Sequence, residues 1–426
     1  MRLMMREKKA LVKVVAPRFQ EGGIKDKEVI LDEFVEATGY NRCYAAYLLR
    51  NHGKKARVGK LTIIGDATKR VKRESRKIYD QKVLNALKQI WMIMDCICGK
   101  RLVGILKELI PILELHGEIV LPFETRSKLL KISAATIDRL LTEEKNRIAG
   151  RGRSRTKPGT LLKNQIPIRT FSEWSDARPG FVEIDLVAHD GGSSSGEYAQ
   201  TLDVTDVCTG WTEARAVRNK AQVWVFEALV QIRQQLPFEL LGIDSDNGSE
   251  FINAHLVHYC EENHITFTRT RSYRKNDNCF VEQKNYSVVR RAVGYMRHDT
   301  PEELKVLNEL YEYLGLYTNF FQPVMKLVSK ERVGAKVRKT YDKPRTPYQR
   351  VLESGQVTTA TKKQLTRTYR GLNPAQLKRD ITGLQTELMN LVAAKEAIRL
   401  MGVQRAAAKA LPSKRRAGSS LHSRSR

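Results

Sequence analysis

No stretch of the 426 residues holds the roughly 20 consecutive apolar side chains that a membrane span needs. The opening segment MRLMMREKKALVKVV is broken by charge, so no signal-peptide core is expected there and an intracellular protein is. Cysteines are few, six in all at 43, 96, 98, 208, 260 and 279, without the spacing of a disulfide framework, which suits a reducing compartment. His255, His258 and Cys260 lie close together, but no four ligands stand at zinc spacing and a closed structural zinc site is not expected. Acidic residues are scarce: 47 Asp and Glu face 75 Lys and Arg, a net charge of +28. That excess runs along the whole length and implies a polyanionic partner, most simply nucleic acid. Composition alone leaves an RNA-coating protein or a ribosome-associated factor equally open. With 41% hydrophobic residues the chain can build real cores and is not a disordered protein.

Residues 26–50, DKEVILDEFVEATGYNRCYAAYLLR, read as two short helices broken at Thr38-Gly39-Tyr40. Ile30, Phe34 and Val35 would face Tyr44, Tyr47 and Leu48, the pattern of a helix-turn-helix and equally of any small helical hairpin. A basic connector with KKARVGK and KRVKRESRK follows. Residues 79–115 are strongly helical, with Val83, Leu84, Leu87, Ile90, Trp91 and Met94 at a 3.6-residue period that marks a core stripe. Residues 125–147, TRSKLLKISAATIDRLLTEEKNR, offer a second helix-turn-helix. Ser133 would cap a helix starting at Ala134, leaving Thr136 and Arg139 exposed. Arg42 and Arg139 are the candidate DNA contacts of the two units. From 145 to 163 seven basic and no acidic residues mark a charged linker, where Arg151, Arg153 and Arg155 could track a phosphate backbone.

After Pro179-Gly180 the texture changes to strands: FVEIDLVA (181–188), YAQTLDVT (198–205) and WTEARAV (211–217), with a GGSSSG loop between the first two. A helix over 222–236, the strand FELLGI (238–243), a helix near 249–263 and the strand ITFT (265–268) come next. Helices are expected at 279–297 and 301–318, the second opening on the capping box Thr300-Pro301-Glu302-Glu303. Strands in meander followed by alternating helices and strands indicate an α/β sheet with helices on its faces. Residues 324–356 read as a small basic β module, 374–410 as a single helix, and SKRRAGSSLHSRSR as a disordered basic tail.

The stretch DSDNGSEF (244–251) is ordinary turn chemistry, and also a place to hold a carboxylate against a metal. Asp185 stands in an otherwise apolar strand, where a charge is costly unless paired or metal-bound. Asp246 follows an apolar strand, and Glu282 lies near the start of a helix whose inner face it would share with Tyr286, Val289 and Val293. Three carboxylates brought together repel one another, so divalent cations are their natural occupants. Glu183 and Asp244, each two residues from a chosen aspartate, are rival ligands. Asp203, Asp206 and His189 read as structural or solvated.

These motifs resemble the DDE transposases with a retroviral-integrase-like, ribonuclease-H-like catalytic core: EID in the first strand, DSDNGSEF after the fourth, and YRKNDNCFVEQKN entering the glutamate helix. Thirty-five residues separate Asp246 from Glu282, a spacing many members share, and the match runs over about 177–322. The resemblance implies Asp185, Asp246 and Glu282 as a catalytic and metal-holding triad. It implies two Mg²⁺ ions, with Mn²⁺ able to substitute, Asp185 bridging them and the other two acids holding one each. Asn247, Gly248 and Asn278 would support the site, and Arg274, Lys275, Lys284 and Arg290 would contact DNA.

The fold class expected is therefore multidomain. A helix-turn-helix unit at 1–58 with its basic arm is followed by a second at 59–147, a basic linker at 148–176 and an α/β ribonuclease-H-like core at 177–322 with a mixed five-stranded sheet. A small basic module at 323–356, a helical region at 357–410 and a tail at 411–426 complete it. The expected activity is binding of mobile-element ends, metal-dependent DNA cleavage and 3′-OH strand transfer into target DNA. Double-stranded DNA and a second copy of the chain are the expected partners, in at least a dimer, at the nucleoid if bacterial. A ribonuclease-H-like nuclease or junction resolvase, or a catalytically silent DNA-binding regulator, are the alternatives.

Overall fold

A computed structural model describes residues 3–58, 61–68, 78–148, 178–245, 251, 254–269 and 279–410. They fall into two compact units, Met1–Ile78 and Tyr79–Arg426.

The first unit holds α1 (Met5–Glu21), α2 (Ile24–Thr38), α3 (Arg42–Asn51) and a hairpin of β1 (Lys55–Val58) with β2 (Leu61–Ile64). Its core joins Val12, Ala16 and Phe19 of α1 to Ile30, Leu31 and Phe34 of α2 and Ala45, Leu48 and Leu49 of α3. The helix break expected at 38–40 is there: Gly39 takes φ 63°, and Asn41 caps α3 by accepting from the Cys43 amide. The inward face of α3 differs from expectation. Ala45 and Leu49 are buried, while Tyr44 and Tyr47 are 48% and 56% exposed. Small Ala45 lets the helices approach, and the tyrosines are left outside.

In the second unit, α4 (Gln81–Ile93) and α5 (Gly99–Leu115) split the expected helical stretch, because Asp95 and Cys96 take positive φ. α6 (Phe123–Lys131), α7 (Ala134–Leu140) and α8 (Thr142–Ile148) follow. Ser133 caps α7 by accepting from the Thr136 amide. Gly99 is required where it stands, since a Cβ there would lie 2.3 Å from the Ala134 carbonyl oxygen.

The sheet contains β3 (Phe181–Ala188), β4 (Gln200–Asp206), β5 (Thr212–Val217), β6 (Gly242–Ser245) and β7 (Thr266–Arg269) in the order β5-β4-β3-β6-β7. β4 runs antiparallel to β3 and β5, whereas β3, β6 and β7 are parallel. The parallel crossovers are α9 (Gln222–Gln235) and α10 (Ala254–Glu262), whose apolar faces close one side of the sheet with Val182, Ile184, Leu202, Val204 and Ile243. β6 lies later than expected: it starts at Gly242, opposite Phe181, and only the end of FELLGI is strand. Leu240 is buried all the same, filling the core from the loop ahead of the strand.

α11 (Cys279–Lys284), a π turn (Asn285–Arg290), α12 (Arg291–Val293) and α13 (Pro301–Phe321) cover the opposite side. A π turn carries one residue more than an α turn, which rotates the side chains beyond it about the helix axis. Val288, Val289 and Val293 are accordingly buried while Tyr286 is 64% exposed, so Tyr286 does not share the inner face. Then come β8 (Leu327–Val333) and β9 (Lys336–Tyr341), an antiparallel ribbon, and α14 (Pro347–Glu353), α15 (Thr359–Gly371) and α16 (Pro374–Ala410). One hydrophobic core runs from α4–α7 through α13 to α16, joining Trp91, Leu102, Leu109 and Ile137 to Leu310, Phe321, Ile381 and Leu388. Among the described residues no helix is long and apolar enough to cross a membrane.

Candidate active site

Side chains alternate across a strand. Val182 and Ile184 point under α9 and α10, so Glu183, Asp185 and Val187 point to the side that α11–α13 cover. On that side Asp203 of β4 stands directly opposite Asp185, and Asp244 of β6 is level with Glu183. The neighbouring strands β4, β3 and β6 thus carry a row of acids across the middle of the sheet, where a strand on either side holds each backbone in place.

Glu183 is 1% exposed, and its Oε2 accepts from the amides of Phe280 and Val281 at 2.8 and 2.9 Å. This carboxyl fastens the first turn of α11 to β3, and exposed Glu282 is the next residue of that turn. Burial pushes Glu183 up to about 8 against the pull of the two amides, and the negative Asp244 and Glu282 push the same way. That anchoring sets it apart from Asp185, and its Oε1 is buried without a hydrogen-bond partner. Asp185 is half-buried: Oδ1 accepts from the Leu186 amide at 2.8 Å and Oδ2 from Asn285 Nδ2 at 2.6 Å. The other rival, Asp244, accepts from Thr268 Oγ1 at 2.7 Å.

Asp203 has no exposure; Thr205 Oγ1 donates to Oδ1 at 3.1 Å, and Oδ2 has no hydrogen-bond partner. Burial pushes it up to about 8, opposed by the Lys284 cation. Lys284 itself is 9% exposed and donates to the Gly210 carbonyl oxygen at 3.2 Å; burial lowers it to about 8, and Asp203 opposes the fall. The expectation that Lys284 contacts DNA is corrected, because its ammonium is sequestered beneath α11. Arg290 is half-buried: it donates to the Ala188 and Gly294 carbonyl oxygens at 2.7 and 3.3 Å and lies over the Tyr295 ring. Arg42 is exposed beside Asp32, and Arg139 is exposed with an N–H on Thr136 Oγ1 at 3.2 Å.

Asp206 is structural, accepting from the Gly180 and Thr209 amides and the Thr209 hydroxyl, with burial pushing it up to about 6. His189 is fully buried rather than solvated, bonded to Thr201 Oγ1 at 2.7 Å, and burial lowers it to about 3. Asn285, Asp203 and Glu183's anchoring role were not singled out as functional from sequence. For Asn285 a signal existed: it follows Glu282 by three residues, which puts both on one helical face.

Asp246, Asn247, Gly248, Asn278, Arg274, Lys275, Arg151, Arg153 and Arg155 lie outside the described residues. In the chain Asp246 directly follows Ser245, the last residue of β6, which pairs with Ile184 beside Asp185. Among the described residues alone, no three His, Cys, Asp or Glu are gathered for a metal. The donors that are described fit a hard divalent cation, which takes oxygen ligands. Asp185 and Glu282 offer carboxylates, and buried Asn285 Oδ1 and Asp203 Oδ2 are oxygens without partners on residues that touch or face Asp185.

A mixed sheet of this order, with an acid on its central strand and another on the helix fastened to that strand, defines a ribonuclease-H-like core of the integrase and transposase class. Residues 176–275 match the family described as "Integrase core domain". Over 351 residues, 82% of this chain and 96% of the relative, the sequence is 42% identical to the uncharacterized protein y4rM of Sinorhizobium fredii, and the chain belongs to that protein's family. The HTLV-2 integrase catalytic core in complex with magnesium is 15% identical, covering 34% of this chain and 90% of that one with a TM-score of 0.27. The catalytic core of BIV integrase is 17% identical over 40% of this chain and 91% of that one, also at 0.27.

Proposed function

We propose that the protein is a DNA transposase that binds the ends of a mobile element, cleaves DNA with the help of divalent cations, and transfers the freed 3′-OH into target DNA. The observation that carries this reading is the fastening of Glu282's helix to Asp185's strand twice over, by Glu183 on the Phe280 and Val281 amides and by Asn285 on Asp185. A carboxylate pair so fixed is preorganised to share cations.

Asp185, Asp246 and Glu282 would hold two Mg²⁺, or Mn²⁺ in their place. Cations there supply Lewis-acid charge to the phosphoryl and attacking oxygens of an in-line displacement. Asn285 keeps one oxygen of Asp185 oriented, Glu183 sets the position of Glu282, and buried Lys284 and Asp203 face each other beneath them, each opposing the other's loss of charge. Arg42, Arg139, Arg151, Arg153, Arg155, Arg274 and Lys275 are assigned to duplex DNA, with the helices of residues 81–148 packed against α13 and α16 and followed in the chain by the basic stretch 148–176. Joining two ends in one act calls for at least a dimer of the chain on DNA.

The test is cleavage and strand transfer on end-containing DNA with Mg²⁺. Asp185→Asn, Asp246→Asn and Glu282→Gln should each lose both activities by at least ~10³-fold, as removal of a charge-stabilising group does, while still folding and binding DNA. Full activity of Asp246→Asn beside an inactive Asp244→Asn would move the ligand to Asp244. Cleavage with no strand transfer would make the protein a nuclease or resolvase, and neither activity would make it a regulator.

A further inference from the structure

The β8–β9 ribbon has two unlike faces. Its register sets Lys330 opposite Lys339 and Arg332 opposite Val337, while the rung between sets Glu331 opposite Arg338. Alternation then places Lys330, Arg332 and Lys339 on one face, with Val337 and Tyr341, and the Glu331–Arg338 pair on the other. Like charges directly opposite destabilise a ladder. The other face sets Glu331 against Arg338 and also carries Lys336, a net of one cation, whereas the Lys330–Lys339 face carries three exposed cations and no acid, and those three form no ion pair among the described residues. Stability does not explain such a face, and a local conflict of this kind marks function.

The ribbon does not gain from burial either. Leu327, Val328, Val337 and Tyr341 are 45%, 67%, 42% and 48% exposed. Its base is clamped: Asp342 accepts from the Lys326 amide at 2.7 Å and pairs with Arg345 and Arg350 at 3.1 and 2.7 Å. Lys326 Nζ reaches the Cys208 carbonyl oxygen at 3.0 Å and lies 5.9 Å from the centre of the Phe280 ring. Phe280 belongs to the turn that Glu183 fastens, so the ribbon rises beside the helix of Glu282.

We infer that the Lys330, Arg332 and Lys339 face of the ribbon binds the phosphate backbone of duplex DNA, without regard to sequence, next to the catalytic helix. The inference rests on the reading of the chain as a DNA transposase. Three unpaired cations complement a polyanion, and a two-stranded ribbon is narrow enough for the major groove of B-form DNA. The deep, narrow major groove of A-form RNA would not admit it.

The experiment is binding of the full chain to random-sequence duplex DNA at several salt concentrations. Each neutralised phosphate contributes about 0.9 to the slope of log affinity against log salt, so Lys330→Gln/Arg332→Gln/Lys339→Gln should lower the slope by about 2.7. Between 50 and 200 mM salt the wild type should then lose about 40-fold more affinity than the variant. Lys339→Gln and Arg338→Gln remove one charge from adjacent residues on opposite faces. The first should lower the slope by about 0.9 and the second should leave it nearly unchanged. Equal slopes for these two, an unchanged slope in the triple variant, or tighter binding of duplex RNA than of DNA would overturn the assignment. The readout is separable from catalysis: a wild type that binds through this face but never cleaves sinks the transposase reading alone, and one that cleaves with the slope unaltered in the triple variant sinks the ribbon alone.

Discussion

Glu183 and Asp185 share one strand face two residues apart but hold different partners, and a pair of substitutions at Glu183 can separate anchoring from metal holding. Glu183→Ala removes the acceptor of two amides in a site that is 1% exposed. Each buried N–H left without a partner costs about 1–3 kcal/mol, and a residual cavity adds to that, so a loss of about 3 kcal/mol is a low figure. At about 2 °C per kcal/mol for a large unit, Tm should fall by about 6 °C. The same change releases the first turn of α11, and a displacement of about 1 Å in Glu282 is enough to cost roughly 10²-fold in cleavage. Glu183→Gln keeps a carbonyl oxygen for the two amides and should stay within about 1 kcal/mol of wild type, cleaving at a comparable rate. Thermal melts followed by circular dichroism, paired with Mg²⁺-dependent cleavage, give both readouts. If Glu183→Gln melted like the wild type yet cleaved no better than Glu282→Gln, Glu183 would be a ligand and the anchoring role would fail.

Asn285→Ala should free Asp185 Oδ2 and raise the Mg²⁺ needed for half-maximal cleavage by about 10-fold, as loss of a ligand-orienting partner typically does; an unchanged Mg²⁺ titration would count against the 2.6 Å bond as a positioning contact. At the far end of the same face, burial would raise Glu303. The His298 imidazole 3.6 Å away, the Lys395 ammonium at 2.8 Å and the Asp299 and Thr300 amides instead hold it down to about 2. Because its folded value lies below the ordinary 4.5, its contribution to stability is complete above pH 4.5 and is lost as pH falls toward 2. Thermal stability should therefore drop more steeply over that window in the wild type than in Glu303→Gln, and parallel profiles would refute it.

The strands of the core were legible because their periodicity and their turns agree. β3 coincides with the predicted 181–188, and β4, β5, α9 and α13 fall within a few residues of expectation. β6 was misplaced because Phe238 and Leu240 look like strand residues to a pattern search, while it is pairing with Phe181 that decides where a short parallel strand begins. Asp185 and Glu282 stand out in the sequence as charges in apolar or helix-starting context, and the fold brings their strand and helix together. Lys284 was misread because a cation on a helix is solvated by default, and only the packing of α11 on the sheet reveals that its ammonium is buried against the Gly210 carbonyl oxygen. Tyr286 turns outward with exposed Glu282, four residues before it on the same helical face. Val289 and Val293, at and beyond the π turn, face inward, which no period of 3.6 running from Glu282 anticipates.

The core that joins α4–α7 to α13 and α16 bears on how the chain is made. Lys378 Nζ meets Asp95 at 2.8 Å across 283 residues of sequence, and Arg379 meets Glu118 across 261. Contacts this distant must wait for the ribosome, so residues 79–148 emerge first with part of their apolar surface uncovered and keep it so until 374–392 arrive. During synthesis that early helical region therefore carries exposed apolar surface of the kind that aggregates unless it is shielded. Any recombinant that exchanged it between related chains would have to carry the matching stretch of α16 along with it.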